Sequence, residues 1–188
     1  EAMLIDAGTG YNTWEILKSM SEKVPLKEIE SIVITHMHFD HIGGAETFAK
    51  ATGARVFISE KDWEFVKKKD KRSTAFVSSF SDMPEIEMSP LREGDRIGPL
   101  RVVETPGHTI GSICLYEPEE KLLFTGDTVF ADGVGRYDLP TGNREALKSS
   151  IKKLASLEVR VIYPGHGDTI GGEPEDVRKF LLELSEII

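Results

Sequence analysis

Residues 35–44 read Thr-His-Met-His-Phe-Asp-His-Ile-Gly-Gly and place three histidines and one aspartate within six positions. Alternate residues of an extended or turning loop point the same way, so His36 and His38 can bind one metal ion. Asp40 and His41, after the turn, can face a second. Imidazole and carboxylate ligands without thiolate suit zinc, iron or manganese. This stretch therefore predicts a metal site.

The other two histidines and a further aspartate also occur beside glycines. They are His108 in Pro-Gly-His, His166 in Pro-Gly-His-Gly and Asp127 in Thr-Gly-Asp. Each follows a predicted strand, as His36 does, so their side chains can converge at one sheet edge. Glycines 107, 126 and 165 are expected to let the backbone turn sharply. All five histidines thus occupy candidate ligand positions.

Composition narrows the class of protein. A length of 188 residues fits one domain, and a net charge of −9 without a long basic stripe argues against nucleic acid. No apolar run approaches the roughly 20 residues that span a bilayer, so no membrane partner is expected. The single cysteine is compatible with a reducing compartment, and the lack of a signal segment predicts a cytoplasmic protein. The expected partner is a small-molecule substrate. Its oligomeric state is not indicated, and the first residues read as half of a hairpin that begins earlier.

Strands and helices alternate along the chain. Apolar segments at 2–5, 31–35 and 55–58 are typical of buried strands, and helices follow Asn12 and Gly44. The first helix is expected to bury Trp14, Leu17 and Met20. Strands are predicted at 101–104, 112–117 and 121–125, then helices after Asn143 and Pro174. Two sheets, each covered by helices, would bury the apolar faces of these strands and helices. Segment 73–83 is expected to be either a substrate-covering loop or a helix packed on the core.

These motifs resemble the metallo-β-lactamase superfamily, and most closely its glyoxalase II-like hydrolases. The resemblance rests on Leu4-Ile-Asp-Ala-Gly8, the 36–41 motif, Pro106-Gly-His108, Thr125-Gly-Asp127, Gly135-Arg-Tyr-Asp138 and Pro164-Gly-His166-Gly. It implies a single domain over residues 1–188, an α/β protein with a four-layer αββα sandwich and a metal site at the edge of the two sheets. It also implies two divalent metal ions, with zinc expected ahead of iron or manganese.

The resemblance further implies a role for each ligand. His36, His38 and His108 would bind the first metal, Asp40, His41 and His166 the second, and Asp127 both. Asp40 is expected to orient a metal-bound hydroxide that cleaves an ester, thioester or related bond. Asp6 is expected to fix the ligands through hydrogen bonds, and Arg136 and Tyr137 to line the substrate pocket.

Other activities of the same scaffold remain as alternatives. Persulfide dioxygenases, which also have a Gly-Arg-x-Asp segment, would use one iron held by His36, His108 and Asp127. The sequence also contains a complete set of ligands for a second metal ion, including both His41 and His166, and this favours the hydrolase. Glutathione thioesters are not expected, because the chain ends soon after His166 without a helical domain. β-Lactams are not expected either, because Asp127 and His41 stand where common zinc lactamases have cysteine and arginine.

Two further alternatives are less favoured. Relatives that process transfer RNA have a long arm, and the sequence shows no such insertion. A metal that only stabilises the fold is disfavoured too, because structural zinc is usually enclosed by four ligands whereas these residues would border an open cleft. We therefore expect an enzyme.

Overall fold

The structure, a computed structural model, describes residues 2–70, 72 and 84–188. The chain divides into two compact units, Glu1–Leu91 and Arg92–Ile188. The predicted single domain stays a prediction, and segment 73–83, predicted as a covering loop or helix, lies outside the described residues. Within the described part of the chain, no helix has the length and apolar character needed to cross a membrane.

The first unit contains a parallel sheet. Its strands have the order β1-β2-β3-β4, and each neighbouring pair is parallel, so their carboxyl ends lie at one edge. Every ligand candidate of this unit follows β2. The elements in chain order are β1 (Ala2–Ile5), α1 (Thr13–Ser21), a 3₁₀ turn (Leu26–Glu28), β2 (Ile29–Ile34), α2 (Phe39–Ile42), α3 (Ala45–Thr52), β3 (Arg55–Ser59), α4 (Glu60–Val66) and β4 (Ser89–Leu91).

Apolar residues of β2 and β3 form the core of this unit with α3. Ile32, Ile58 and Phe48 are all buried in one cluster. The prediction that α1 buries Leu17 is confirmed, but the prediction that it buries Trp14 is wrong, because Trp14 is 71% exposed. Thr13 lies one turn before Leu17 and occupies the buried position instead, because residues four apart share a helix face.

The second unit contains a mixed sheet in the order β12-β11-β8-β7-β6-β5 and a two-stranded ribbon of β9 and β10. Strands β6, β7 and β8 are antiparallel neighbours, and β11 is parallel to β8. Strands β6, β8 and β11 therefore end at the same edge. The elements are β5 (Arg96–Ile97), β6 (Leu100–Glu104), β7 (Ile113–Glu117), β8 (Leu122–Gly126), β9 (Val129–Phe130), β10 (Gly133–Val134), α5 (Arg144–Leu154), β11 (Val161–Pro164), β12 (Ile170–Gly171) and α6 (Pro174–Ile187).

Helices α5 and α6 cover this sheet with the faces that the sequence predicts. Leu147, Ile151 and Leu154 of α5 are fully buried, and α6 buries residues 177, 181 and 184 in the same cluster. Asn143 begins α5 by accepting the Ala146 N–H at 2.9 Å, which is an N-cap hydrogen bond. The helix therefore starts at a fixed point beside the loop after β6.

Candidate metal centre

The four ligand candidates of the first unit lie together after β2. The ring centroid of His36 lies 4.8 Å from that of His38 and 4.1 Å from that of His41. The Oδ2 atom of Asp40 lies 3.6 Å from Nε2 of His41. The three imidazoles are buried, whereas the Asp40 side chain is 46% exposed. Asp40 can therefore meet solvent or a substrate while its neighbours cannot.

Asp6, directly after β1, makes three contacts with this cluster. Its Oδ1 accepts the Thr35 N–H at 2.7 Å, and its Oδ2 accepts the Thr35 hydroxyl at 2.9 Å. Oδ2 also lies 2.8 Å from Nδ1 of His41. An ionised carboxylate only accepts hydrogen bonds, so Nδ1 of His41 carries the proton and Nε2 keeps a lone pair that could bind a metal ion. Asp6 has a φ of 60°, which aspartate tolerates better than most residues.

His36 is oriented by the same network. The Thr35 hydroxyl has one hydrogen, which it donates to Asp6, and its oxygen lies 3.1 Å from Nδ1 of His36. That oxygen must therefore accept from His36 Nδ1–H, since it has no second hydrogen to give. Nε2 of His36 is therefore the nitrogen that could bind a metal ion.

The three ligand candidates of the second unit are grouped around Asp127. Its Oδ2 lies 3.6 Å from Nε2 of His108, and its Oδ1 lies 3.7 Å from Nε2 of His166. These residues follow β6, β8 and β11, which end at one sheet edge, and Gly165 N–H donates to Gly126 O at 2.8 Å. The Asp127 side chain is 12% exposed and that of His166 is 54% exposed. One carboxylate oxygen thus faces each histidine.

The His108 ring is held by a backbone carbonyl. Its Nδ1 lies 2.7 Å from the oxygen of Arg136, so Nδ1–H donates and Nε2 faces Asp127. This approach requires a glycine at position 135, where a Cβ would lie 1.7 Å from the Asp127 carbonyl oxygen and 3.2 Å from Nδ1 of His108. The segment after Asp127 therefore packs against both ligands.

Helix α5 supports the His108 loop from its other side. Asn143 N–H donates to Gly107 O at 2.8 Å, and the Ser150 hydroxyl donates to Pro106 O at 2.7 Å. A Cβ at Gly107 would lie 2.4 Å from the Leu147 backbone. Gly107 and Gly126 have φ of 144° and 48°, as the predicted sharp turns require, but Gly165 is not among the positive-φ glycines. Near His166 the positive φ lies at Gly167, directly after the histidine, with φ of 80°. The sharp turn at Gly165 stays a prediction.

The two pocket candidates of the second unit differ in exposure. The Arg136 guanidinium makes two hydrogen bonds to Asp138, at 2.8 and 2.6 Å, and both side chains are more than half exposed. The hydrogen bond lowers the pKa of Asp138 and raises that of Arg136. Tyr137 is partly buried against the core of its unit. Arg136 thus presents a charged group at the surface, whereas Tyr137 packs.

Three supporting residues have no predicted role. Thr35 is in the quoted motif, yet only the structure shows that its hydroxyl joins Asp6 to His36. Gly135 begins the quoted Gly-Arg-Tyr-Asp segment, but only the structure shows that it packs against Asp127 and His108. Asp62, in α4, accepts the Met37 N–H at 2.9 Å. The sequence signal that could have identified Asp62 is its position shortly after β3, because the candidate metal ligands also follow strands.

These residues fit divalent metal ions. Three histidines, His36, His41 and His108, place Nδ1 against an oxygen acceptor, which is how metal-binding histidines are ordinarily oriented. The remaining donors are imidazole nitrogens and carboxylate oxygens, which suit zinc, iron and manganese alike. The chemistry of the ligands therefore supports metal binding without selecting one metal.

Comparison with known proteins identifies relatives over most of the chain. The model of the metallo-beta-lactamase superfamily matches residues 1–166. A Methanocaldococcus jannaschii protein named "Probable metallo-hydrolase" is 36% identical over 173 residues, covering 88% of this chain and 82% of the relative. A hydroxyacylglutathione hydrolase of Cereibacter sphaeroides is 35% identical over 173 residues, covering 86% of this chain but only 59% of the relative. These relatives indicate a metallo-hydrolase.

Solved structures show the same fold. A protein crystallised in a di-iron-bound form matches with a TM-score of 0.74 at 33% identity, over 89% of this chain and 82% of its own. A B3 metallo-β-lactamase matches with a TM-score of 0.77 at 27% identity, over 96% of this chain and 88% of its own. The fold class and the family predicted from the sequence are both confirmed. The chain belongs to the metallo-β-lactamase superfamily.

Proposed function

We propose that this protein is a binuclear hydrolase that cleaves an ester, thioester or related bond with water. The observation that carries the proposal is the orientation of the histidines. Asp6, Thr35 and the Arg136 carbonyl bind Nδ1 of three rings, and Nε2 is left for metal. Three rings that each keep Nε2 available support metal binding, and membership in the superfamily supports a catalytic use of the metal.

The proposal joins the ligands of the two units into one centre. The first metal would be bound by His36, His38 and His108, and the second by Asp40, His41 and His166. Asp127 would bind both metals, which its two oxygens facing two different histidines support. The order of these ligands along the chain, in a member of this superfamily, supports the pairing.

Bound divalent metals would lower the pKa of a shared water towards about 7, from 15.7 in bulk, and polarise the substrate carbonyl. The protein's own contribution is to orient the reactants. Asp40, half exposed beside His41, can accept a hydrogen bond from the attacking water and fix its direction. The His166 side chain, 3.7 Å from Asp127, is also half exposed, so a leaving group beside it could depart into solvent.

The substrate class rests on the relatives. One is named for hydroxyacylglutathione, an acyl group carried by a thiol, so we propose acyl esters and thioesters as substrates. This chain spans about three fifths of the length of that relative. We propose zinc as the native metal, with iron as the competitor because a similar protein is seen in a di-iron-bound form.

A panel of esters, thioesters, lactones and phosphodiesters tests the proposal. Metal-loaded protein should hydrolyse at least one carboxylic ester or thioester, and a chelator should abolish the activity. His166→Ala and Asp127→Ala should lose metal and turnover together, whereas Asp132→Ala, an exposed aspartate in the turn between β9 and β10, should keep both. Full activity in the His166 or Asp127 variant would contradict the ligand assignment.

Asp40 has a separate test. Asp40→Asn keeps an oxygen that can bind metal but loses the negative charge that orients water. Its kcat should fall by roughly 10²- to 10⁴-fold, while metal content falls much less. Equal losses of metal and kcat would leave Asp40 as a ligand without the proposed catalytic role.

A further inference from the structure

Asp62 is a fully buried carboxylate that the proposed chemistry does not use. Its relative exposure is 0%, and it lies in the first turn of α4, where its N–H donates to the Ser59 hydroxyl at 3.2 Å. A carboxylate at this helix position commonly turns back to the N-cap amide. Here Oδ2 accepts the N–H of Met37 at 2.9 Å, so the side chain binds a different loop. Burying a carboxylate costs free energy, and this hydrogen bond contributes to offsetting that cost.

The contact lies between two proposed ligands. Met37 separates His36 from His38, and its own side chain is fully buried. Two residues earlier, the N–H of Thr35 donates to Asp6 at 2.7 Å. Asp6 follows β1 and Asp62 follows β3, and these strands are the two neighbours of β2 in the sheet. Carboxylates from both neighbouring strands therefore bind the backbone of the ligand loop.

We propose that Asp62 is a positioning residue for His36 and His38. The inference rests on the proposed metal centre and names a residue on which that centre depends. By binding the peptide between the two histidines, Asp62 fixes the direction from which both imidazoles leave the backbone. Metal sites require their ligands to be held within about 0.5 Å, so a displacement of this loop is expected to lower metal affinity.

Cobalt(II) binding to the metal-free protein provides the test. Asp62→Leu keeps the branched shape of the side chain but replaces the acceptor oxygens with larger methyl groups. Its cobalt affinity should be roughly 10- to 100-fold lower, with a changed visible spectrum. Asp62→Asn keeps an oxygen that can accept from Met37 and should retain most of the affinity. Glu64→Gln removes a partly exposed carboxylate from the same helix and serves as the matched control.

The outcomes distinguish this inference from the proposed function. A purely structural role would lower the Tm of the metal-free protein but leave cobalt affinity and spectrum unchanged, and that result overturns the inference. An asparagine variant as weak as the leucine variant overturns it as well. Asp62→Glu, which displaces the carboxylate by one methylene, should show the same loss and replaces leucine if that variant does not fold. Failure of the unmodified protein to bind cobalt would instead overturn the metal centre itself.

Discussion

The Oδ2 atom of Asp6 lies 2.8 Å from Nδ1 of His41, and this contact determines which imidazole nitrogen can bind metal. The same carboxylate accepts two hydrogen bonds from Thr35. One residue after β1 thus sets both the backbone and the histidine tautomers of the loop after β2. Metal affinity in this unit should therefore depend on a residue that is not itself a proposed ligand.

Asp6→Asn should weaken metal binding while preserving the fold. Asparagine tolerates the φ of 60° at this position, but its amide N–H₂ would face a donor at either Thr35 or His41. We expect metal affinity to fall by roughly 10- to 100-fold, measured by competition with a chelator. Asp132→Asn, on an exposed turn, is the control, and equal affinity in both variants would contradict the role of Asp6.

Gly135→Ala should disturb both ligands of the second unit. The new Cβ would lie 1.7 Å from the Asp127 carbonyl oxygen, so the backbone must move. We expect a loss of about 1–3 kcal/mol or more in the free energy of unfolding, together with lower metal content. Gly133→Ala, two residues away, meets nothing within 4 Å and should leave stability and metal content nearly unchanged. Similar effects of the two substitutions would show that packing at Gly135 is unimportant.

Arg136→Ala should leave metal content intact, because His108 contacts the carbonyl of residue 136 and not its side chain. If the exposed guanidinium contacts substrate, the variant should raise KM with little change in kcat. Steady-state kinetics on the best substrate and metal analysis of the same sample check this. Loss of metal in this variant would show that the Arg136–Asp138 pair holds the loop in place.

Cys114 should be unreactive in the folded protein. Burial raises the pKa of its thiol from 9.0 to about 11, so the neutral form is favoured in the native state. The thiol ionises more readily in the unfolded chain than in the folded protein, so its titration links the free energy of unfolding to pH. Its contribution to stability is fully present below pH 9 and is lost as the pH rises through about 11. Iodoacetamide at pH 9 should label the protein only in denaturant. Rapid labelling of the native protein would contradict the buried, neutral thiol.

Much of this architecture could be predicted from local sequence patterns. The strand at 2–5 matches β1, and the helical face of residues 147, 151 and 154 is buried as its spacing indicates. The sequence places each candidate ligand after a predicted strand, and these residues do follow β2, β6, β8 and β11. These predictions succeed because hydrophobic periodicity and glycine turns act over a few residues.

The failures have a different physical origin. Trp14 has the spacing of a buried residue, but the neighbouring Thr13, one turn before Leu17, is buried and Trp14 is exposed. Asp62 and Gly135 act through contacts with residues 25 and 8 positions away, which no local pattern encodes. The tautomer of His36 depends on the Thr35 hydroxyl hydrogen, which is donated to Asp6, a residue 29 positions away in the sequence. Supporting contacts thus become visible only when the strands are in place.

The number and identity of bound metals test the central claim most directly. Elemental analysis of protein purified without added metal and under low oxygen should give about two zinc ions per chain, as a binuclear hydrolase requires. About one iron per chain, with the second set of ligands empty, would contradict the binuclear centre. It would instead favour the mononuclear iron dioxygenase that uses His36, His108 and Asp127.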